Sequence, residues 1–283
     1  MSKVVALFYY DNEKYDKLAY MAYDSFVKWH PNIDVKVIRA LEPANVGIFA
    51  DFYKYPGIMK YITASTMMRE QNYDKVICLG VDMITCGYLN EFIELEEDIG
   101  VSLDYAARKI HNQSTMNADV ACFNNIEMLE SIIGFALKYF TTKNAQGECF
   151  FEQGALNELI LRIIKNKIEN KEYTYETYDG DINDLTFNIV DDEDKDVYYN
   201  VRSKGPIETG VEPNQEFIND WYVKDEKLYA PDNKQIKVWH FCHAFGEKTK
   251  HDIDDIIKKY RYYYFNKETI KFFQENCNLK GFK

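Results

Sequence analysis

The sequence predicts a mixed α/β fold: a mostly parallel sheet flanked by helices. Three observations carry that expectation. Val76-Ile77-Cys78-Leu79 is short, almost continuously apolar and β-branched at two positions, the pattern of a strand covered on both faces. The chain opens strand–helix–strand, with Val4 to Tyr10, then Leu18, Met21, Ala22, Ser25, Phe26 and Trp29 at helical spacing, then Val35 to Ile38. Two later stretches, Met128 to Leu137 and Ala155 to Ile164, repeat apolar residues on one helical face, which reads as core.

Composition bounds the rest. The chain has 283 residues, 46% hydrophobic and 16% aromatic with 23 Tyr, so it can bury a full core. That excludes global disorder. Its formal net charge is −12, which argues against generic nucleic-acid binding, since that needs a basic face to displace counterions. The opening MSKVVALFYYDNEKY has too short an apolar stretch and no cleavage signal for a secretory peptide. No run approaches the roughly 18–20 apolar residues of a membrane span. Six Cys show no CxxC and no close pairing. They read as reduced thiols, and the expected location is cytoplasmic. Cys78 and Cys122 lie inside apolar runs and are expected in the core.

Taken in order, Pro31 stops the first helix. Ala40 to Gly57 is a loop rich in Pro, Gly and aromatics, and Pro56-Gly57 opens a helix to Arg69. Gly80 ends the buried strand. Ile99 to Asp104 is a further strand, followed by a polar turn from Ile110 to Thr115. Met116 to Asn125 is another strand. From Asn170 the chain turns polar and aromatic, and Asp191-Asp192-Glu193-Asp194 reads as a solvated loop, lacking the ligand spacing of a calcium loop. Tyr198 to Gly205 and Ile236 to Phe241 read as strands, and the chain from Asp252 as helical. With no repeat and no flexible linker, the expected organisation is one domain over 1–250 and a helical extension over 251–283.

Four features bear on chemistry. Gly80-Val81-Asp82 leaves the end of the buried strand, where ligands bind in open α/β sheets. Asp82 there can hold a divalent cation, and the cation a diphosphate; a solvated turn Asp is the plain alternative. Asn117-Ala118-Asp119 enters the strand that ends at Phe123-Asn124. Glu152-Gln153-Gly154-Ala155-Leu156-Asn157 starts a helix. Val238-Trp239-His240-Phe241 leads, late in the chain, to Gly246-Glu247-Lys248.

In this order the four features resemble the GT-A-fold (Rossmann-like) nucleotide-sugar glycosyltransferases. The nearest group is the retaining one of glycogenin and the bacterial lipopolysaccharide glucosyl- and galactosyltransferases. That group has a buried strand ending in Asp-x-Asp, a strand with Asn-x-Gly, a helix starting Asp-Gln-x-x-Leu-Asn, and a late His-Phe-x-Gly-x-x-Lys motif. The resemblance covers roughly residues 1 to 250. It implies that Asp82 and His240 bind Mn²⁺ or Mg²⁺, the imidazole favouring Mn²⁺ over Ca²⁺. By itself His240 reads more readily as a hydrogen-bonded core histidine beside Trp239. Lys248 is implied to contact the diphosphate and stabilise the leaving group. Asn117 and Gln153 match positions at the sugar and reaction centre, with Glu152 and Asp119 beside them. Tyr9 and Tyr10 match the base and ribose contacts, or are strand-end packing. Asp104 is a candidate for the sugar hydroxyls.

The chain departs from the pattern at defined places. Gly80 stands where the first Asp would be, Glu152 replaces an Asp, and Asp119 replaces a Gly, a candidate for the charge missing at 80. The last motif is lengthened by Cys242-His243-Ala244-Phe245. The implied activity is metal-dependent transfer of a hexose from a nucleotide diphosphate sugar, UDP-linked for choice, to a glycan or glycolipid acceptor with retention. A catalytically impaired sugar-nucleotide or glycan-binding module is the alternative, and Gly80 is its basis. A nucleotidyltransferase would need a Gly-rich basic loop after the first strand, where this chain has Asp11-Asn12-Glu13-Lys14. Lys258 to Phe265 alternates basic and aromatic residues. It reads either as a helix packed on the domain or as a weak peripheral contact with anionic membrane.

Overall fold

In the computed structural model, β1 (Val4–Tyr10) is flanked by two parallel neighbours, β2 (Asp34–Arg39) and β3 (Lys75–Leu79). The described residues are 2–40, 56–103, 116–140, 151–169, 185–192, 194–199, 201–202, 221–240 and 265–277. Beyond β3 the sheet continues through β6 (Met116–Phe123), β5 (Ile99–Leu103) and β7 (Phe187–Ile189), in the order β2-β1-β3-β6-β5-β7. β6 pairs antiparallel with both neighbours, and β5 pairs parallel with β7. The sheet is therefore mixed and mostly parallel, as the apolar strands predict.

Alternation along the central strands divides the core. Val5, Leu7, Val76 and Cys78 face α2 (Pro56–Gln71), α4 (Ile126–Phe140) and α5 (Phe151–Glu169), meeting Ile58, Tyr61, Leu129 and Leu156. Ala6, Phe8, Ile77 and Leu79 face the other way onto Ala22 and Phe26 of α1 (Asp16–Trp29). Every residue of β1 and β3 is buried. Each large apolar side chain so covered contributes about 1.5–3 kcal/mol. Cys78 and Cys122 are core residues, as their apolar neighbours predict.

A second layer carries the chain away from β3. Gly80-Val81-Asp82 turns into β4 (Met83–Thr85), and the short α3 (Asn90–Ile93) follows. β4 is the edge of a small sheet with β13 (Val238–His240) and β9 (Val201–Arg202). α1 and the His30 that caps its C-terminus fix this segment by two side-chain contacts. The Thr85 N–H donates to Ser25 Oγ (3.0 Å), and the Leu89 N–H donates to His30 Nε2 (3.1 Å). Another small sheet holds β8 (Val197–Tyr198), β10 (Tyr222–Lys224), β11 (Lys227–Tyr229) and β12 (Gln235–Ile236). α6 (Lys267–Asn276), capped by Asn266, lays Phe272 and Phe273 into a cluster with Trp221, Trp239 and Phe265. Phe265, the last residue of the basic-aromatic stretch, is thus buried; residues 258–264 lie outside the described set.

Three sequence expectations need correction. The strand expected over Tyr198 to Gly205 is two short strands, β8 and β9, in different sheets. The one expected over Ile236 to Phe241 is likewise β12 and β13, broken at Lys237, whose N–H donates to Tyr198 and whose carbonyl accepts from Cys86. Its ammonium is buried against the Tyr88 carbonyl (2.5 Å) and Glu91 (3.5 Å), so the break joins the two sheets. Asp191, read as part of a solvated loop, is fully buried. It accepts from the N–H groups of Leu103 (2.8 Å) and Tyr199 (2.9 Å), tying the end of β5 to the small-sheet layer. Among the described residues no helix is long and apolar enough to cross a membrane.

His30 gives the fold an acid-sensitive point. It is 4% exposed, packed on Phe26 and Tyr88 with Lys237 nearby. Burial, then the Lys237 charge, push its pKa down from 6.5 to about 4. The unfolded chain therefore takes up the proton first. The His30 contribution is intact above about pH 6.5 and is lost as pH falls toward 4, a cost of about 3 kcal/mol. Urea midpoints measured from pH 7 to 4 should fall more steeply for the wild type than for His30→Gln. Parallel profiles would contradict this.

Candidate functional site

The site lies at the carboxyl end of β3, because the chain there must leave a strand buried on both faces. Gly80 keeps one ladder bond, its N–H donating to the Asp119 carbonyl (2.9 Å). Asp82 then emerges with its side chain 27% exposed. β4 follows at once, and its antiparallel register with β13 puts Met83 opposite His240 and Ile84 opposite Trp239. This pairing brings His240 Nε2 to 3.3 Å from Asp82 Oδ2. The imidazole is 1% exposed, its backbone in the ladder and its neighbour Trp239 stacked edge-on with Trp221 and Phe265. Burial pushes the Asp82 carboxyl up, but the His240 imidazole outweighs burial, and its pKa ends below the ordinary range.

β6 supplies the opposite wall. Asn117 is fully buried; its Oδ1 accepts from the Asp119 N–H (2.8 Å), while its Nδ2 has no partner among the described residues. Asp119 Oδ1 accepts from Lys60 Nζ at 2.5 Å. Lys60 comes from the first turns of α2, with its side chain 3% exposed. Burial pulls its ammonium down, but its neighbours, the Asp119 carboxylate first among them, outweigh burial and its pKa ends above the ordinary value. The Tyr61 hydroxyl, next on α2, donates to the Ala118 carbonyl (3.0 Å) and fixes helix to strand.

α5 closes the site from its first turn. Gln153 Oε1 accepts from the Ala118 N–H (3.3 Å). Asn157, one turn on, accepts from the Met116 N–H (2.8 Å) and donates to the Met116 carbonyl (2.9 Å). Glu152 is 7% exposed. Burial, then the Asp119 charge, push its carboxyl to about 7, with Lys60 pulling the other way. It therefore holds its proton through much of the neutral range. Its carboxyl group fills the notch left by Gly57: a Cβ built at 57 would fall inside it.

The structure thus brings together Asp82, His240, Asn117, Asp119, Glu152 and Gln153. Tyr9 and Tyr10 lie at the end of β1 but are each 8% exposed. Tyr9 points into the α2 side of the core, and Tyr10 toward Asp16, where burial and the Asp16 hydrogen bond push its phenol up to about 12. The ring that stands within the field of Asp82 is Tyr15, half-buried in the 3-10 turn Glu13–Tyr15. Asp104 and Lys248 lie outside the described residues. Sequence reading passed over Lys60, Tyr15 and Gly57. A charged residue among the apolar positions Ile58, Met59, Tyr61 and Ile62 was the available signal for Lys60.

A divalent cation fits the donor set of Asp82 and His240. Neighbouring ligands of an octahedral ion with bonds of about 2.1 Å stand about 3 Å apart, close to the 3.3 Å seen here. Among the described residues no group of three His, Cys, Asp or Glu forms a closed cage. A cation here would need oxygens from its ligand.

The Gly57 notch makes a separable prediction. Gly57→Ala should destabilise the fold by about 1–3 kcal/mol through overpacking. Glu152→Ala in the same chain should relieve most of that cost. A double-mutant cycle by urea unfolding reads the coupling, and additive effects would show that the two residues do not compete for space.

No family model matches this chain, and no curated protein matches it. It is similar in structure to a glycosyltransferase involved in the glycosylation of the major capsid of PBCV-1, with a TM-score of 0.47 and 10% identity over 86% of this chain and 94% of that one. It is also similar to the glycosyltransferase GlyE of Streptococcus pneumoniae TIGR4 in its apo form, with a TM-score of 0.39 and 19% identity over 56% of this chain. That match spans 44% of the GlyE chain.

Proposed function

We propose that this protein is a metal-dependent glycosyltransferase that moves a hexose from a UDP-sugar to a hydroxyl of a glycan or glycolipid, with retention. The observation that carries the reading is the meeting of Asp82 and His240 at the end of β3, where the β4–β13 ladder aligns them. The sequence resemblance to the GT-A glycosyltransferases assigns these two residues the same task. Asp82 and His240 would hold Mn²⁺ or Mg²⁺, which when bound supplies Lewis-acid stabilisation of the departing diphosphate.

The chain's own residues support such a transfer. Lys60 presents a fixed positive charge in a water-poor site, where it acts more strongly than in water. Asn117 Nδ2 is a buried donor with no partner among the described residues, and a sugar hydroxyl would satisfy it. Glu152 keeps its proton near neutrality and can donate it in a hydrogen bond. Gln153 positions the β6 backbone that carries Asn117 and Asp119. We place the uracil ring at the Tyr15 turn rather than in the strand, since Tyr9 and Tyr10 are packed away. We place the protein in the cytoplasm on the sequence reading of its six cysteines as reduced thiols.

Gly80 favours one competing reading, a module that binds nucleotide sugar without turnover. Incubation with a panel of UDP-sugars and Mn²⁺ separates the two. UDP release that depends on Mn²⁺ supports transfer, whereas tight binding without release supports the module.

Asp82→Asn keeps the side-chain size and removes the charge. We expect it to abolish UDP release and leave thermal unfolding close to wild type, because the side chain is partly solvated. Mn²⁺ and UDP should bind synergistically in the wild type and lose that synergy in the variant. Equal Mn²⁺ affinity in the two proteins, titrated with UDP present, would remove Asp82 from the site.

A further inference from the structure

We infer that Asp119 is a transposed cation ligand: it supplies, from the neighbouring strand, the carboxylate that position 80 lacks. The inference rests on the metal-dependent reading above. Its basis is the strand register. Leu79 pairs with Val120 in the antiparallel ladder of β3 and β6, and the Gly80 N–H donates to the Asp119 carbonyl at 2.9 Å. Gly80 and Asp119 are therefore cross-strand partners, and opposite residues of an antiparallel pair put their side chains on the same face. Measured in space, the point where a side chain at 80 would begin is 3.4 Å from Asp119 Cβ and 2.9 Å from Asp82 Oδ1. The two acidic side chains flank the place an aspartate at 80 would occupy.

Three further observations support a ligand role over a purely structural one. First, Asp119 is 37% exposed although its partner Lys60 is 3% exposed, so the carboxylate stands at the mouth of the site. Second, a carboxylate offers two oxygens and about four lone-pair sites; the contact with Lys60 is made at Oδ1. Sharing it with a cation is ordinary chemistry, and Lys60 offsets part of the charge that Asp82 and Asp119 would otherwise concentrate. Third, Asn117 holds the Asp119 N–H from one side, and its own Nδ2 is fully buried with no partner among the described residues. A buried donor without a partner points to a ligand oxygen at this position. As Asp119 stands, directed at Lys60, the three ligands do not close into a cage. Asp119, turned toward Asp82 while keeping Lys60, would complete the set that holds Mn²⁺ together with a diphosphate.

The same geometry shows what a side chain at position 80 would meet. The backbone there is not in the left-handed region, so conformation does not demand glycine. A Cβ there would meet the ends of two flexible side chains, Asp82 Oδ1 at 2.9 Å and Met83 Cε at 3.2 Å, and touch Asp119 Cβ at an ordinary 3.4 Å. An aspartate at 80 would add a third carboxylate beside Asp82 and Asp119, and like charge opposes all three together.

The experiment is a swap, read by Mn²⁺ binding in the presence of UDP, with free Mn²⁺ counted by electron paramagnetic resonance. Asp119→Asn, which keeps a hydrogen bond to Lys60, should weaken Mn²⁺ binding by about tenfold or more. Gly80→Asp alone should not tighten it. The pair Gly80→Asp with Asp119→Gly should recover most of the affinity lost in Asp119→Gly. If Lys60 left unpaired prevents folding of Asp119→Gly, the same comparison in a Lys60→Met background gives the answer. Unchanged Mn²⁺ affinity in Asp119→Asn, with binding lost in Asp82→Asn, overturns this inference and leaves the metal-dependent reading intact. Unchanged affinity in both variants overturns both.

Discussion

The arrangement depends on a three-residue backbone ladder. β4 and β13 are short, and each is buried throughout. Their antiparallel pairing sets Met83 against His240. A slip by one residue would turn His240 to the other face, because side chains alternate along a strand. The register is secured from outside the ladder. Ser25 holds the Thr85 N–H, the Lys237 carbonyl accepts from the Cys86 N–H, and Trp239 is locked among Trp221, Phe265 and Phe273. A residue late in the chain thus reaches one at the end of β3 through packing of aromatics far from any chemistry.

Around that pair, burial and charge oppose each other in a definite order. Lys60 remains charged because Asp119 lies 2.5 Å away. Glu152 is pushed toward neutrality by burial and by the same Asp119. Asp82 stays ionised beside His240. The site therefore holds a buried charged Lys60, an ionised Asp82 and, in Glu152, an acid that keeps its proton to about pH 7. Groups so displaced from their ordinary behaviour cluster where chemistry is done. This separation of roles follows from position: Glu152 sits deepest, against Gly57, whereas Asp82 and Asp119 reach the surface.

Much of the sheet was legible because burial on both faces writes itself as an apolar run, and α1 because its apolar face keeps helical period. Asp82 and His240 were legible only as a spacing of motifs; their contact is made by the ladder. What escaped had physical reasons. α2 mixes apolar, hydroxyl and charged residues around its circumference, so the burial of Lys60 shows only in its apolar neighbours. The hairpin of β10 and β11 turns on Asp225 and Glu226, both at positive φ (50° and 58°), without the Gly or Asn that usually marks such a turn. Asp191 sits in an acidic run, and nothing local tells that two backbone N–H groups from other elements claim it. Lys237 breaks what reads as one strand, because its buried ammonium must reach Tyr88 and Glu91.

The central claim is that one cation can be held jointly by Asp82 and His240. Pulsed electron paramagnetic resonance of Mn²⁺ bound with UDP tests it most directly, since a directly ligated imidazole imprints its nitrogen on the metal signal. The account predicts coupling to a single histidine nitrogen that disappears in His240→Gln. Bound Mn²⁺ with no nitrogen coupling, or coupling that survives His240→Gln, would contradict it.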